Sequence, residues 1–205
     1  MFQISFPVKG RPRRFRWMIF MAWLVFCFLP FPAMGATGPL QAVEKGTEEV
    51  LRLLQDQDMD KETRRAHIRN VVDDHFDFQE MAMRALGPPW REQPSEKQQE
   101  YVSAFSDFLF GVYIDRIERY SDETVVYELG EEGESHAVVQ ALIEGAQVGQ
   151  IPVEYRMHLT REEWRVYDVV IEGVSLVNNY RGQFHAFLAR NTFDDLLSRL
   201  KERSL

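Results

Sequence analysis

The spacing of hydrophobic residues changes near position 124 of this 205-residue chain. Before that position, apolar residues recur at intervals of three and four in the segments 40–54, 60–72, 78–86 and 95–120. Such spacing gathers the apolar side chains on one side of a helix. Four helices are therefore predicted, and the last of them carries the widest aromatic and aliphatic stripe.

Beyond this point apolar and polar residues alternate, which is typical of half-buried antiparallel strands. Four strands are predicted, at about 125–129, 135–144, 153–160 and 163–171. The connections between them are short and favour an antiparallel meander. Two further helices are predicted after Gly173. The pattern therefore indicates an α+β fold, a curved four-stranded antiparallel sheet with helices packed on one face.

Residues 1–35 have the three parts of a secretory signal peptide. Five basic residues come first, then the uncharged segment Trp17–Leu29, and then Ala33 and Gly35 at the positions that a signal peptidase reads. The apolar segment is about 20 Å long as a helix, shorter than the ~30 Å hydrocarbon core of a bilayer. The sequence therefore predicts a cleaved leader and a secreted domain at 36–205, with an uncleaved anchor as the alternative.

The charge balance excludes a nucleic-acid binder. The whole chain has 24 basic and 32 acidic residues, a net charge of −8. Without the five basic residues of the leader, 19 basic residues face 32 acidic ones, a net charge of −13. Nucleic-acid binding needs a basic surface. The one cysteine, Cys27, lies in the leader, so neither a disulfide nor thiolate chemistry is predicted for the secreted domain.

Few residues suggest catalysis or metal binding. The chain has no nucleophile elbow, zinc-protease motif, P-loop or dinucleotide-binding fingerprint. One acidic cluster contains a histidine, at Asp73, Asp74, His75 and Asp77. Its neighbouring carboxylates point in different directions at the end of a helix, so a solvated helix terminus is predicted there and no metal site.

Asp168 is the one carboxylate within an otherwise apolar strand. A buried carboxylate requires a partner. The structural interpretation pairs it with Arg181, Arg156 or backbone amides. The functional alternative makes it the general base of an enzyme that acts on an apolar small molecule.

Large apolar side chains are abundant in a domain of this size. Each aromatic stripe taken singly is typical of core, and only the stripes taken together suggest a cleft. Aromatic residues, Met and Leu form stripes on two helices and two strands, and a curved sheet below long helices can leave a cleft that such side chains line. A shift of one residue in strand register exchanges the buried and exposed faces of a strand. Periodicity alone therefore does not determine which face lines the cleft.

The segment Trp164–Phe184 resembles the signature of the MlaC family, periplasmic phospholipid carriers that are also called toluene-tolerance or auxiliary ABC-transporter proteins. The family's pattern of Trp, V-Y-D-V, E-G-V-S-L, N-Y-R and Q-F is met throughout this segment. A second block agrees, from Phe76 through Ala85-Leu86-Gly87 to Trp90-Arg91. The resemblance covers about residues 40–203.

This resemblance implies a periplasmic protein that holds phospholipid acyl chains in a deep pocket between helices and sheet, with the headgroup outside. The implied partners are an outer-membrane lipoprotein complex and an inner-membrane MCE-domain ABC transporter, and the implied role is to maintain outer-membrane lipid asymmetry. Neither a cofactor nor stable membrane insertion is implied. A hopanoid or other terpenoid cargo is one alternative, and a chaperone for outer-membrane lipoproteins is another.

Strand alternation combined with the family's arrangement predicts the residues of the pocket wall. The helices contribute Phe105, Leu109, Tyr113, Val177, Tyr180 and Phe184. The strands contribute Val125, Tyr127, Val139, Ala141, Ile143, Val153, Tyr155, Met157, Val166 and Val170. An acidic side chain in this wall, as in Val153→Asp or Ile143→Asp, is expected to abolish lipid binding in a protein that still folds.

Overall fold

The computed structural model describes residues 37–120, 123–145, 149–161 and 163–203. These residues contain six α-helices and five β-strands. The predicted signal peptide and Cys27 lie outside the described residues. The helices are α1 (Pro39–Gln55), α2 (Lys61–His75), α3 (Phe78–Leu86), α4 (Ser95–Ile117), α5 (Leu176–Leu188) and α6 (Phe193–Lys201), with a 3₁₀ turn at Pro88–Glu92. The strands are β1 (Thr124–Glu132), β2 (His136–Gly145), β3 (Gly149–Thr160), β4 (Glu163–Ile171) and β5 (Val174–Ser175).

The sheet has the order β1-β2-β3-β4-β5, and all neighbours are antiparallel. The predicted α+β class and antiparallel meander are confirmed, but the sheet has five strands where four were predicted. The fifth strand forms because Glu172 and Gly173 adopt positive φ angles of 49° and 81°. This tight turn lets Val174 pair with Ile171, and a strand of two residues is too short to show a period in the sequence.

A β-bulge in β4 decides which of its side chains share a face. Arg156 of β3 is opposite Asp168, whereas Met157 is opposite Val166, so Tyr167 is the extra residue. An extra residue reverses the alternation beyond it. Val166 therefore shares a face with residues 169 and 171, and Asp168 shares the other face with residue 170.

Buried apolar side chains form two clusters. The helical cluster joins α3, α4, α5 and α6, and its fully buried side chains include Met81, Tyr101, Phe105 and Phe184. The sheet cluster joins one face of β2, β3 and β4 to α1 through Ala42 and Val43. The partly buried Phe76, between α2 and α3, packs against both clusters.

The sheet is apolar on the side that α1 covers, and the other side mixes polar and apolar residues. Across the register, Val139 pairs with Tyr155 and Ala141 pairs with Val153 on the covered side. The adjacent positions on the other side include the exposed Gln140. The alternation of apolar and polar residues along β2 and β3 thus determines the face of the sheet on which α1 packs.

Candidate functional site

The apolar face of the sheet brings together most of the strand residues that were predicted to line a pocket. Nine of the ten belong to the sheet cluster or pack against it: Val125, Tyr127, Val139, Ala141, Ile143, Val153, Tyr155, Met157 and Val166. Val170 is the exception. It is buried, but it lies on the opposite face with Asp168 because of the bulge in β4.

The six predicted helical residues lie elsewhere. Phe105, Leu109, Val177, Tyr180 and Phe184 are buried within the helical cluster, and Tyr113 packs against it. The ring of Phe105 is 5.7 Å from that of Phe184 and 5.8 Å from that of Tyr180. These edge-to-face contacts lie between α4 and α5, in a cluster separate from that of the apolar sheet face.

Several residues of the sheet cluster were absent from the predicted wall. On the strands these are Ala137, Ile151, Leu159, Trp164, Val169 and Ile171. On the helices and their flanks they are Leu40, Ala42, Val43, Phe76 and Leu176. Extending the alternation of β3 by one step in each direction would have found Ile151 and Leu159. The residues of β4 carried no such signal, since the bulge reverses their alternation.

The centre and the margins of the sheet cluster differ in exposure. Val139, Val153 and Met157 are 0%, 5% and 1% exposed. Around them Tyr127, Ile143 and several other large apolar side chains are only half-buried. The α1 helix therefore covers part of this face and leaves large apolar side chains at its margins within reach of a ligand.

Two tyrosines bring hydroxyl groups to this face. Burial raises the pKa of Tyr155 well above its usual value, and the neighbouring Tyr127 raises it further. Burial also raises the pKa of Tyr127, whose hydroxyl faces Thr47 of α1. Both groups stay neutral at physiological pH. The Tyr127 hydroxyl is hydrogen-bonded to Thr47, which leaves the Tyr155 hydroxyl as the available donor.

Asp168 is held on the opposite face by three hydrogen bonds. Its carboxylate accepts from Ser175 Oγ at 2.7 Å, the backbone N–H of Val177 at 3.1 Å and Arg156 Nη1 at 3.3 Å. Two of the predicted partners, Arg156 and a backbone amide, are confirmed. The side chain is 5% exposed, and its bonds fix the start of α5 against the sheet.

The described residues include no group of three or more His, Cys, Asp or Glu placed to hold a metal ion. In the cluster at the end of α2, Asp73 pairs with Arg69. Asp77 caps α3 through the N–H of Glu80 and lies 3.0 Å from His158 Nε2. These carboxylates serve separate structural contacts.

Two surface grooves lie outside the apolar face. One, of about 720 Å³, is lined by Asp77, Thr160, Arg161, Glu163 and Arg165. The other, of about 420 Å³, lies between α1 and α2 and is lined by Glu49, Arg52, Leu53, Asp56, His67 and Val71. Charged side chains dominate both grooves, which makes them unsuited to hydrocarbon chains.

None of the helices described here combines the length and apolar character that crossing a membrane requires.

Comparison with known proteins gives concordant matches. The family described as MlaC protein matches residues 44–202. A relative, the intermembrane phospholipid transport system binding protein MlaC of Haemophilus influenzae, is 18% identical over 197 residues, 91% of this chain and 92% of the relative. A solved structure of the phospholipid-binding protein from Ralstonia solanacearum, in complex with a phospholipid, has a TM-score of 0.73 and 22% identity. It covers 81% of this chain and 96% of that chain.

Proposed function

The chain belongs to the MlaC protein family, and we propose that it is a periplasmic phospholipid carrier. The acyl chains of the bound lipid lie on the apolar face of the sheet, beneath and beside α1. The Haemophilus relative is named as the binding protein of a phospholipid transport system, and the Ralstonia protein was solved with a phospholipid. The single observation within this chain that supports the proposal is the set of half-buried apolar side chains around the sheet cluster.

The dimensions of the sheet suit this cargo. The ten residues of β2 and twelve of β3 span about 33–40 Å. The acyl chains of one leaflet need about 15 Å, half the hydrocarbon thickness. Acyl chains can therefore lie along the sheet without leaving its apolar face.

A carrier site must stabilise acyl chains about as well as a bilayer does, and no better. Each methylene removed from water gains about 0.8 kcal/mol, so bare acyl chains do not cross an aqueous compartment. In the membrane the chains already have this stabilisation. A carrier site of similar polarity permits both loading and release, and net transport then takes its energy from a partner.

The partners in this proposal are an inner-membrane MCE-domain ABC transporter and an outer-membrane lipoprotein complex, between which the carrier moves lipid and so maintains outer-membrane asymmetry. The net charge of −13 outside the leader supports docking through proteins, because an acidic surface is repelled by anionic headgroups. Complementary basic patches on the partners would guide docking.

Mass spectrometry of the native protein tests the proposal. The protein is produced with its leader, purified without detergent and measured before and after organic extraction. Bound masses that resolve into phospholipids support the proposal. Hopanoid masses keep the carrier role and replace the cargo, and a folded protein without bound lipid contradicts the carrier role.

A pair of adjacent substitutions tests the assigned face. Ile143 is half-buried at the sheet cluster, and Leu142 is half-buried on the opposite face of the same strand. Ile143→Asp is expected to lower lipid content at least about tenfold, because a carboxylate in this face is costly to desolvate. Leu142→Asp is the matched control and is expected to retain its lipid.

Val153→Asp tests the same face at the central strand, where the native side chain is 5% exposed. It places a charge in the packed centre of the sheet and is expected to lower the free energy of unfolding more than Ile143→Asp does. Ile143→Asp therefore separates loss of lipid from loss of folding more clearly. Full lipid content in folded Ile143→Asp would show that the acyl chains lie elsewhere.

A further inference from the structure

The hydroxyl of Tyr155 has no hydrogen-bond partner among the described residues. The side chain lies on the covered face of β3, directly between Val139 of β2 and Val169 of β4. The buried members of the sheet cluster around it are all apolar. The buried side-chain polar atoms that lack a partner among the described residues are Arg64 Nε and Tyr101 Oη. The Tyr155 hydroxyl is therefore not enclosed, and it can donate to a molecule that enters this face.

Tyr155 remains within reach of a ligand, in contrast to a second unpaired tyrosine. Tyr101 also lacks a partner for its hydroxyl, but it is 0% exposed. The rings of Trp90, Phe105 and Phe193 lie within 6.4 Å of its own. Tyr155 is only partly buried and belongs to the half-covered face. Tyr101 is therefore enclosed in packed core, whereas Tyr155 is open to an incoming molecule.

Tyr127 places this region near the border between the apolar face and an acidic surface. It shares the face of Tyr155 through Ala141, its partner on β2, and Val153 beyond it. Its hydroxyl faces Thr47 and is close enough to Glu44 and Glu48 of α1 for their charges to act on it. Glu48 is exposed to solvent. The two tyrosines thus follow one another from the acidic surface inward.

A glycerophospholipid has a matching order of groups. Its ester carbonyls lie between the polar headgroup and the apolar chains, and each carbonyl oxygen accepts hydrogen bonds. A neutral phenol is a good donor to such an acceptor. An ether-linked lipid with the same chains lacks the carbonyl and offers the tyrosines only a weaker acceptor.

On the basis of the proposed function, we propose that the Tyr155 hydroxyl, with Tyr127 beside it, donates a hydrogen bond to an acyl ester carbonyl of the cargo and makes the site selective for ester-linked over ether-linked lipids. The contact positions the ester group beside the central strand, inward of Tyr127, with the chains along the sheet and the headgroup toward solvent.

The experiment is a competition between two lipids. Delipidated protein is incubated with vesicles that contain equal amounts of a diacyl and a dialkyl phosphatidylcholine of identical chain length, and the bound lipids are measured by native mass spectrometry. The wild type is expected to carry about fivefold more diacyl than dialkyl lipid, the ratio that one hydrogen bond supplies. Tyr155→Phe is expected to bring that ratio close to one by losing diacyl lipid.

Tyr101→Phe is the matched control, because it removes an unpaired hydroxyl from the helical cluster and is expected to keep the wild-type ratio. Equal loading of the two lipids by the wild type overturns the carbonyl contact and leaves the carrier function standing. An unchanged ratio in Tyr155→Phe also overturns it. Failure of the wild type to load either lipid overturns the proposed function together with the contact.

Discussion

At the scale of single residues, Tyr180 shows how packing of α5 on α4 alters a side chain's chemistry. Its ring is 5.5 Å from that of Phe108 and 5.8 Å from that of Phe105, both edge-to-face. Burial, with a smaller contribution from Tyr113, raises the pKa of Tyr180 to about 12. The folded chain therefore favours the neutral phenol.

The raised pKa of Tyr180 predicts how stability depends on alkaline pH. Between about pH 10 and 12 the unfolded chain loses the phenol proton that the folded chain keeps, so the free energy of unfolding falls as pH rises. Tyr180 alone contributes a decrease on the order of 2 kcal/mol. Urea unfolding over this range is expected to show a smaller decrease in Tyr180→Phe, and an equal decrease in both proteins would contradict the assignment.

Asp168 shows how far a single residue can be interpreted from sequence. Its position within an apolar strand sufficed to predict a buried carboxylate with Arg181, Arg156 or backbone amides as partners, because a buried charge must be satisfied. Of these, the observed hydrogen bonds come from Arg156 and a backbone amide. The hydrogen bond from Ser175 could not be predicted from the sequence, because it depends on the turn that forms β5. The three bonds make Asp168 a structural residue at the start of α5.

At the scale of elements, α2 is attached to α4 by ion pairs. Arg69 of α2 contacts Asp73 at 2.8 Å, Asp107 at 2.7 Å and the buried Ser106 Oγ at 2.6 Å. Its guanidinium also lies 5.4 Å from the ring centre of Phe110. One turn earlier, Arg65 pairs with Asp115 and Glu118.

Removing Arg69 is expected to loosen this attachment. Arg69→Ala leaves Ser106 and two carboxylates without their shared donor and is expected to lower the free energy of unfolding by about 2 kcal/mol. Lys45→Ala is the control, since Lys45 pairs with Glu49 at 4.0 Å on the surface of α1 and is expected to cost well under about 1 kcal/mol. Similar losses in urea unfolding would show that α2 is held in another way.

The elements themselves were largely predictable because amphipathic periods determine them. The faces of β2 and β3 followed from the same alternation. The bulge at Tyr167 was not predictable, since one extra residue leaves no mark in composition and yet moves Val170 to the opposite face. The two-residue β5 depends on the positive φ angles of Glu172 and Gly173, which alternation does not encode.

At the scale of the whole molecule, two apolar clusters have different forms. The helical cluster is packed by stacked and edge-to-face rings, whereas the sheet cluster is centred on the aliphatic face of β2 and β3. Both clusters have half-buried apolar side chains at their margins. An aromatic stripe on a helix has the same sequence pattern whether it fills a core or lines a cavity. The lining role of Phe105 and Phe184 stays a prediction, and in the structure their rings pack against one another at 5.7 Å.

Photo-cross-linking shows directly whether acyl chains lie on the apolar face of the sheet. A phospholipid with a photoreactive diazirine in one acyl chain is loaded onto the purified protein, irradiated, and its attachment sites are located by peptide mass spectrometry. Attachment to sheet-cluster residues of β2 and β3, such as Ile143 and Tyr155, and to the inner side of α1 is the predicted result. Attachment confined to α4 and α5 would contradict this placement of the acyl chains.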